Sequence, residues 1–245
     1  MEFYTFIHDP EQVKHFLAKF LPQKSNLAIQ IQLVARRKYD PRLSQRTTIV
    51  NRVTISGGIS VDQAYRKVMR MQVPVGSFLV RDLVPSRDAF VLYAMISPKD
   101  TVKAMVKVLT HCVDDLQADR PQICPPSAYQ TVIGKTDAVG FPKMQMIDLD
   151  SKDPEVVKQS LDVLKRAGVK IEYAIETKNG YHIVYHHDDQ INRKMLYEYK
   201  ISTKFKKELP DGRTQDDYVF SIAGCDMVVI PGTYQGGFEA KLAAF

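Results

Sequence analysis

Cysteine is scarce and poorly spaced for holding metal. The chain has three, Cys112, Cys124 and Cys225, with no Cys-x-x-Cys pair among them. An odd number so placed disfavours both a disulfide framework and a zinc cluster, and fits a reducing compartment. Long apolar runs are lacking too. None approaches the roughly 18–20 residues that cross a bilayer, so no membrane partner is expected. The opening residues, Met1-Glu-Phe-Tyr-Thr, have neither the basic stretch nor the apolar segment of a secretory leader, which points to a cytoplasmic protein. The sequence also has no internal repeat, no low-complexity tract and no helicase motif. Nor does it contain the His-hydrophobic-His pair with which replication-initiator nucleases hold metal.

What is present is an ordinary globular composition with a mild cationic excess. With 245 residues, 44% apolar and 25% charged, the chain can bury a core as one large domain or as two lobes sharing a cleft. Its net charge of +6 suits a polyanionic partner without demanding one. Arg36, Arg37, Lys38, Arg42, Arg46 and Arg52 cluster around Tyr39. Cations interleaved with an aromatic suit the backbone and bases of a single strand. Arg36, Arg37, Arg42 and Arg46 are therefore candidate nucleic-acid contacts, with a plain solvated face as the alternative.

Local signals divide the chain into alternating elements. Asp9-Pro10 opens a helix carrying Val13, Phe16, Leu17 and Phe20 at helical spacing. Strands are expected over 27–35 and 47–55, a helix over 61–72, and strands near 77–81 and 89–96. Ser97-Pro-Lys-Asp100 reads as a helix cap. The helix after it is expected to bury Val102, Met105, Val106, Leu109, Cys112, Val113 and Leu116. Residues 119–142, rich in Pro, Gly, Ser and Thr, read as a long loop and a hinge. From Met144 the pattern is strand, helix, strand, strand, with Asp153-Pro154 starting the helix and Gly168 stopping it. A polar helix over 189–207 and strands near 217–223 and 226–230 follow. The class is α+β, a mixed or antiparallel sheet core with flanking helices. The expected division is an N-terminal α/β part, 1–87, and a second part, 88–245, with two lobes forming a cleft.

The chemistry concentrates in two short motifs. Met144-Gln-Met-Ile-Asp-Leu-Asp150 is an apolar strand ending in two acids. Strand side chains alternate faces, so Asp148 and Asp150 point the same way. Carboxylates beside so much apolar sequence are costly unless paired or bound to a cation, and hard divalent ions favour carboxylate oxygen. Further on, Lys178-Asn-Gly-Tyr-His182 sets a histidine at the start of a strand just after a turn. Gly180 permits close approach of a phosphate and Lys178 offers a point charge. His186 shares the strand face of His182 but stands too far along to share one ligand.

Together these motifs resemble the catalytic core of the archaeo-eukaryotic primase superfamily, the primase-polymerases. Ile147-Asp-Leu-Asp150 is similar to the family's first acidic motif and Gly180-Tyr-His182 to its histidine motif. Phe90-Val-Leu-Tyr-Ala-Met-Ile-Ser-Pro-Lys-Asp100 and Ile230-Pro-Gly-Thr233 resemble flanking elements, so the likeness runs over about residues 88–240. It implies template-directed nucleotidyl transfer from nucleoside triphosphates, for primer synthesis in DNA replication. The resemblance also implies Mg²⁺ or Mn²⁺ on Asp148, Asp150 and a third acid. Asp217 is the preferred third acid, with Asp226 and Asp216 as alternatives. His182, Lys178 and Gly180 would hold the nucleotide. The implied partners are a single-stranded template and a separate helicase or replisome protein. The family's arginine before Pro-Gly is missing, because Val229 and Ile230 stand there. That departure favours a second reading, a catalytically reduced, nucleic-acid-binding replication-initiation protein. A metal-dependent nuclease using the same acids is a third.

Overall fold

The computed structural model describes residues 2–117, 127–136, 144–187, 190–208, 214–223 and 227–245. Asp9 accepts from the N–H groups of Glu11 and Gln12, and Pro10 takes the first helical position of α1 (Pro10–Phe20), whose Val13, Phe16, Leu17 and Phe20 are buried. β1 (Leu27–Arg36) and β2 (Thr47–Ser56) form an antiparallel hairpin. α2 (Val61–Met69) opens on a reciprocal capping box between Ser60 and Gln63. β3 (Phe90–Asp100) then pairs with the free edge of β1. The expected strand near 77–81 is reduced to one bridge between Val80 and Leu83, because the chain reverses at Arg81 and Asp82 in left-handed conformation.

Around Ser97 the structure departs from the expected cap. β3 runs on to Asp100, with Lys99 opposite Ala28 and Asp100 opposite Leu27. Pro98 is tolerated there because the β1–β3 register shifts between Ala28 and Gln30. Asp100 serves instead as the acceptor at the start of α3 (Thr101–Gln117), taking the Lys103 N–H at 2.8 Å. Of the expected apolar stripe, Val102, Met105, Val106, Leu109 and Val113 face outward, and it is Ala104 that is buried. Seven residues of the expected long loop form α4 (Ser127–Ile133). The hinge reading otherwise falls on residues outside those described.

The second half follows the expected order. β4 (Met144–Leu149), α5 (Pro154–Arg166), β5 (Ile171–Glu176) and β6 (Tyr181–His186) are followed by α6 (Arg193–Ser202). α6 is shorter than expected, since Thr203 closes it and β7 (Lys204–Glu208) pairs with β8 (Thr214–Tyr218). β9 (Phe220–Ala223), β10 (Met227–Val229), β11 (Tyr234–Gln235), β12 (Phe238–Glu239) and β13 (Lys241–Leu242) complete the chain.

Every strand pairing among the described residues is antiparallel, giving an α+β fold. Sheet one has the order β12-β11-β3-β1-β2, with β10 also on β3, and sheet two the order β13-β5-β6-β4-β9. Both sides of the 87/88 division contribute to sheet one, since β1 and β2 precede it and β3 follows it. Alternation then sorts sheet two. Met146, Tyr173, Ile175 and Val184 join the core built on sheet one and α1. Ile147, Leu149, Ile183 and Tyr185 face the other way, onto α5 and α6. Asp148 and His182, in step with Met146 and Val184, thus look toward sheet one.

Candidate functional site

Asp148 stands directly opposite His182 on β6 and opposite Ser221 on β9. The His182 Nε2 lies 3.8 Å from Asp148 Oδ1, within ionic reach but longer than a direct hydrogen bond. On the other side of the ring, the Val229 N–H of β10 donates to Nδ1 at 3.2 Å. That bond assigns the proton to Nε2, the nitrogen aimed at Asp148. His182 is only 6% exposed. Burial pushes its pKa down from 6.5 to about 4, against the opposing pull of Asp150, so the ring is neutral at pH 7.

This carries a pH dependence. A histidine with a depressed folded pKa gives stability that is full above its unfolded value and fades as pH falls through the folded one. In metal-free buffer, denaturant unfolding is expected to show about 2 kcal/mol less stability at pH 5 than at pH 8 from this group. His182→Asn keeps an acceptor for the Val229 N–H and should remove that part of the slope. An identical pH profile in the variant would refute the assignment.

Gly180 shapes the end of the acidic strand. A Cβ there would lie 1.8 Å from the Leu149 carbonyl oxygen and 2.7 Å from the Ser151 nitrogen. The close approach it permits is therefore to the chain's own backbone, where β4 delivers Asp150. Gly180→Ala should cost on the order of 3 kcal/mol, because rigid backbone has to move. A melting temperature within a degree or so of wild type would contradict that reading. Lys178 joins the same turn to sheet one. Its backbone N–H donates to Gln235 Oε1 and its Nζ to Gly236 O, both at 2.8 Å.

The acids and cations then sort by strand geometry. Asp216 is held by Lys204 and Lys206 at 2.6 and 2.8 Å. Its neighbour Asp217 takes the other face of β8, and its charge is felt at Asp148. Burial raises the pKa of Asp148, with Asp217 adding to the rise, while Lys38 and Arg36 oppose it. Asp226 lies outside the described residues.

Arg36, at the end of β1, donates from Nη1 to the Tyr93 hydroxyl on β3. Its Nε is buried with no hydrogen-bond partner among the described residues. Tyr39 packs its ring on Gly236 and under the Lys178 ammonium, 5.3 Å from the centroid. Its pKa is pushed up to about 12, chiefly by burial and then by Tyr93, with Asp150 and Asp148 contributing.

The four candidate arginines do not act as one track. Arg36 turns to Tyr93, and its charge is felt at Asp148. Arg42 grips Asp40 with both arms of its guanidinium, at 2.8 and 2.7 Å, and holds that carboxyl well below the usual range. Arg37 and Arg46 are exposed and adjacent at the mouth of the β1–β2 hairpin, where the Arg37 N–H donates to Arg46 O at 3.2 Å. Sequence reasoning passes over Gln235 and places Tyr93 only within a flanking element, because a tyrosine or glutamine inside an apolar strand carries no sign of the neighbour it will meet.

Among the described residues, no group of three or more His, Cys, Asp or Glu is placed so that together they could hold a metal ion. A cavity of about 400 Å³ is lined by Lys152, Pro154, Val157, Lys158, Leu161, Asp162 and Tyr181, and includes none of Asp148, Asp150 and Asp217. No helix of the described residues is long and apolar enough to cross a membrane. Comparison of the chain with family models, with curated proteins and with solved structures returned no match.

Proposed function

We propose that this chain is a primase-polymerase-like nucleotidyltransferase, joining nucleoside triphosphates into a primer on a single-stranded template. The observation that carries the reading is the meeting at Asp148: His182 faces it across the sheet, Asp217 repels it, and Arg36 and Lys38 attract it. A carboxylate so placed, half-buried beside another acid, fits a divalent cation. Mg²⁺ or Mn²⁺ would be held by oxygens of Asp148, Asp150 and Asp217, with water and phosphate oxygens filling out the shell, as is usual for Mg²⁺. When bound, such ions supply activation of a 3′-hydroxyl and neutralisation of the departing pyrophosphate. The chain's own residues position the substrate. Neutral His182 offers its Nε2–H, and Arg36 and Lys38 bring positive charge to the same place for a polyphosphate. Arg37 and Arg46 are the better-exposed candidates for template phosphates. Unwinding would come from a separate helicase or replisome protein.

One observation favours the reduced, binding-only reading. Val229 and Ile230, where the family has its arginine, are fully buried, so that stretch brings no cation to the site. Arg36, which donates to the hydroxyl of Tyr93, the strand residue paired with Val229, and Lys38 would bring that charge instead. The test is primer synthesis on single-stranded DNA with each nucleotide pool, in Mg²⁺ and in Mn²⁺. Labelled products that require template, nucleotide and metal are expected. Template binding without synthesis points to the reduced protein, and loss of labelled strand without nucleotide to a nuclease; either outcome overturns the proposal.

A further inference from the structure

α3 carries apolar side chains on the side away from the fold. Val102, Met105, Val106, Leu109 and Val113 are 59, 49, 57, 57 and 51% exposed. They recur at i, i+3, i+4, i+7 and i+11, one continuous stripe of the helix. The opposite side is the one that meets the fold, where Ala104 joins Ala28 and Ile133. A single exposed leucine needs no explanation. A stripe three turns long marks an interaction face.

We infer that α3 is a self-docking surface, through which two copies of this chain pair helix against antiparallel helix. The stripe is its own complement. Met105 and Val113 stand four residues on either side of Leu109. A two-fold axis through Leu109 therefore sets Met105 of one copy against Val113 of the other, with the two Leu109 side chains meeting at the centre. Val102, Met105 and Leu109 also keep the three-four spacing of a helix-pair seam.

The flanking charge selects the same partner and the same direction. Lys103 and Lys107 precede Leu109 on one flank of the stripe, and exposed Asp114 follows it on the same flank. An antiparallel mate brings the cationic half of each helix beside the anionic half of the other, and opposes the two helix dipoles. Parallel pairing would set like charges side by side. A foreign helix needs only an apolar stripe to bind here; the mirrored charge is what a second copy requires. Such isologous contacts are the commonest form of homo-oligomer. Five side chains on one helix are a small contact beside the ~800 Å² per partner of a standard interface, so the pairing is weak, with a Kd on the order of 10–100 µM. None of this depends on the chemistry proposed for the acids.

Sedimentation equilibrium of the full chain tests the inference. The mass should rise from 27.9 kDa toward twice that value as concentration increases from about 1 to about 200 µM. Leu109→Glu, at an exposed position, should stay folded by circular dichroism and remain monomeric throughout. Lys103→Glu with Lys107→Glu should weaken the dimer at least about tenfold, and adding Asp114→Lys should bring it back toward wild type. A single mass of 27.9 kDa at every concentration overturns self-docking and leaves the stripe to another protein. A dimer untouched by Leu109→Glu, or one that the added charge reversal does not restore, overturns it equally.

Discussion

Asp148→Asn is expected to lower primer synthesis by at least about 10³-fold while leaving the protein folded, since it removes the ligand charge on which two-metal chemistry depends. The same substitution separates a functional acid from a structural one. The Asp148 pKa is raised by burial and by Asp217, so its ionised form is a burden on the metal-free fold. The sign follows from linkage. A carboxyl with a raised folded pKa destabilises above that value, and the penalty fades as pH falls and it protonates. In EDTA at pH 7 the asparagine variant should therefore melt at or above the wild-type temperature, and the two should converge in acid. Asp150→Asn should match the loss of activity with little effect on stability, because Asp150 is exposed. If Asp148→Asn, well folded, kept near wild-type turnover in Mg²⁺, the proposed site would be wrong. If it lost both activity and melting temperature, Asp148 would be a structural acid.

The sequence carries some parts of this molecule openly and hides others for physical reasons. β1, β2, α1 and α5 are legible because their signals are local: alternation, an Asp-Pro cap, a helical stripe. The opposition of Asp148 and His182 is half legible. Each lies on a strand that its own residues announce, but the register that brings them face to face is a pairing of segments over thirty residues apart. Arg36 is the clearest case of what stays hidden. In the sequence it belongs with Arg37, Arg42 and Arg46 in one basic run. In the fold, strand direction sends it to Tyr93, where its charge is felt at Asp148, while Asp40 takes Arg42 and the hairpin mouth keeps the other two. Asp216 and Asp217 divide the same way, since adjacent strand residues face opposite sides and two lysines claim one of them. At α3 periodicity misleads about burial, because a well-formed apolar stripe looks like core. Pattern gives a stripe's existence; which surface covers it is decided by tertiary packing.

That division of the basic cluster gives the second large effect. Arg36→Ala and Lys38→Ala, singly, should weaken nucleoside triphosphate binding by about 10–100-fold, the usual scale for a charge-assisted hydrogen bond to phosphate. Single-strand affinity should hardly change. Arg37→Ala with Arg46→Ala should do the reverse: nucleotide affinity is retained, and the log–log salt slope of strand binding falls by roughly 0.7 for each phosphate no longer neutralised. The rival account of Arg36 is structural, since its guanidinium also donates to the Tyr93 hydroxyl. Tyr93→Phe decides between them, because it removes that acceptor and keeps the arginine. A purely structural Arg36 predicts that Tyr93→Phe and Arg36→Ala lower the melting temperature alike and that neither selectively affects nucleotide. A phosphate-binding Arg36 predicts a large nucleotide defect in Arg36→Ala alone. Titrations with labelled nucleotide and labelled strand, run separately at several salt concentrations, measure both quantities on each of these variants. Equal losses for nucleotide and strand in Arg36→Ala would return it to the template track with its neighbours, and leave the triphosphate without a cation from β1.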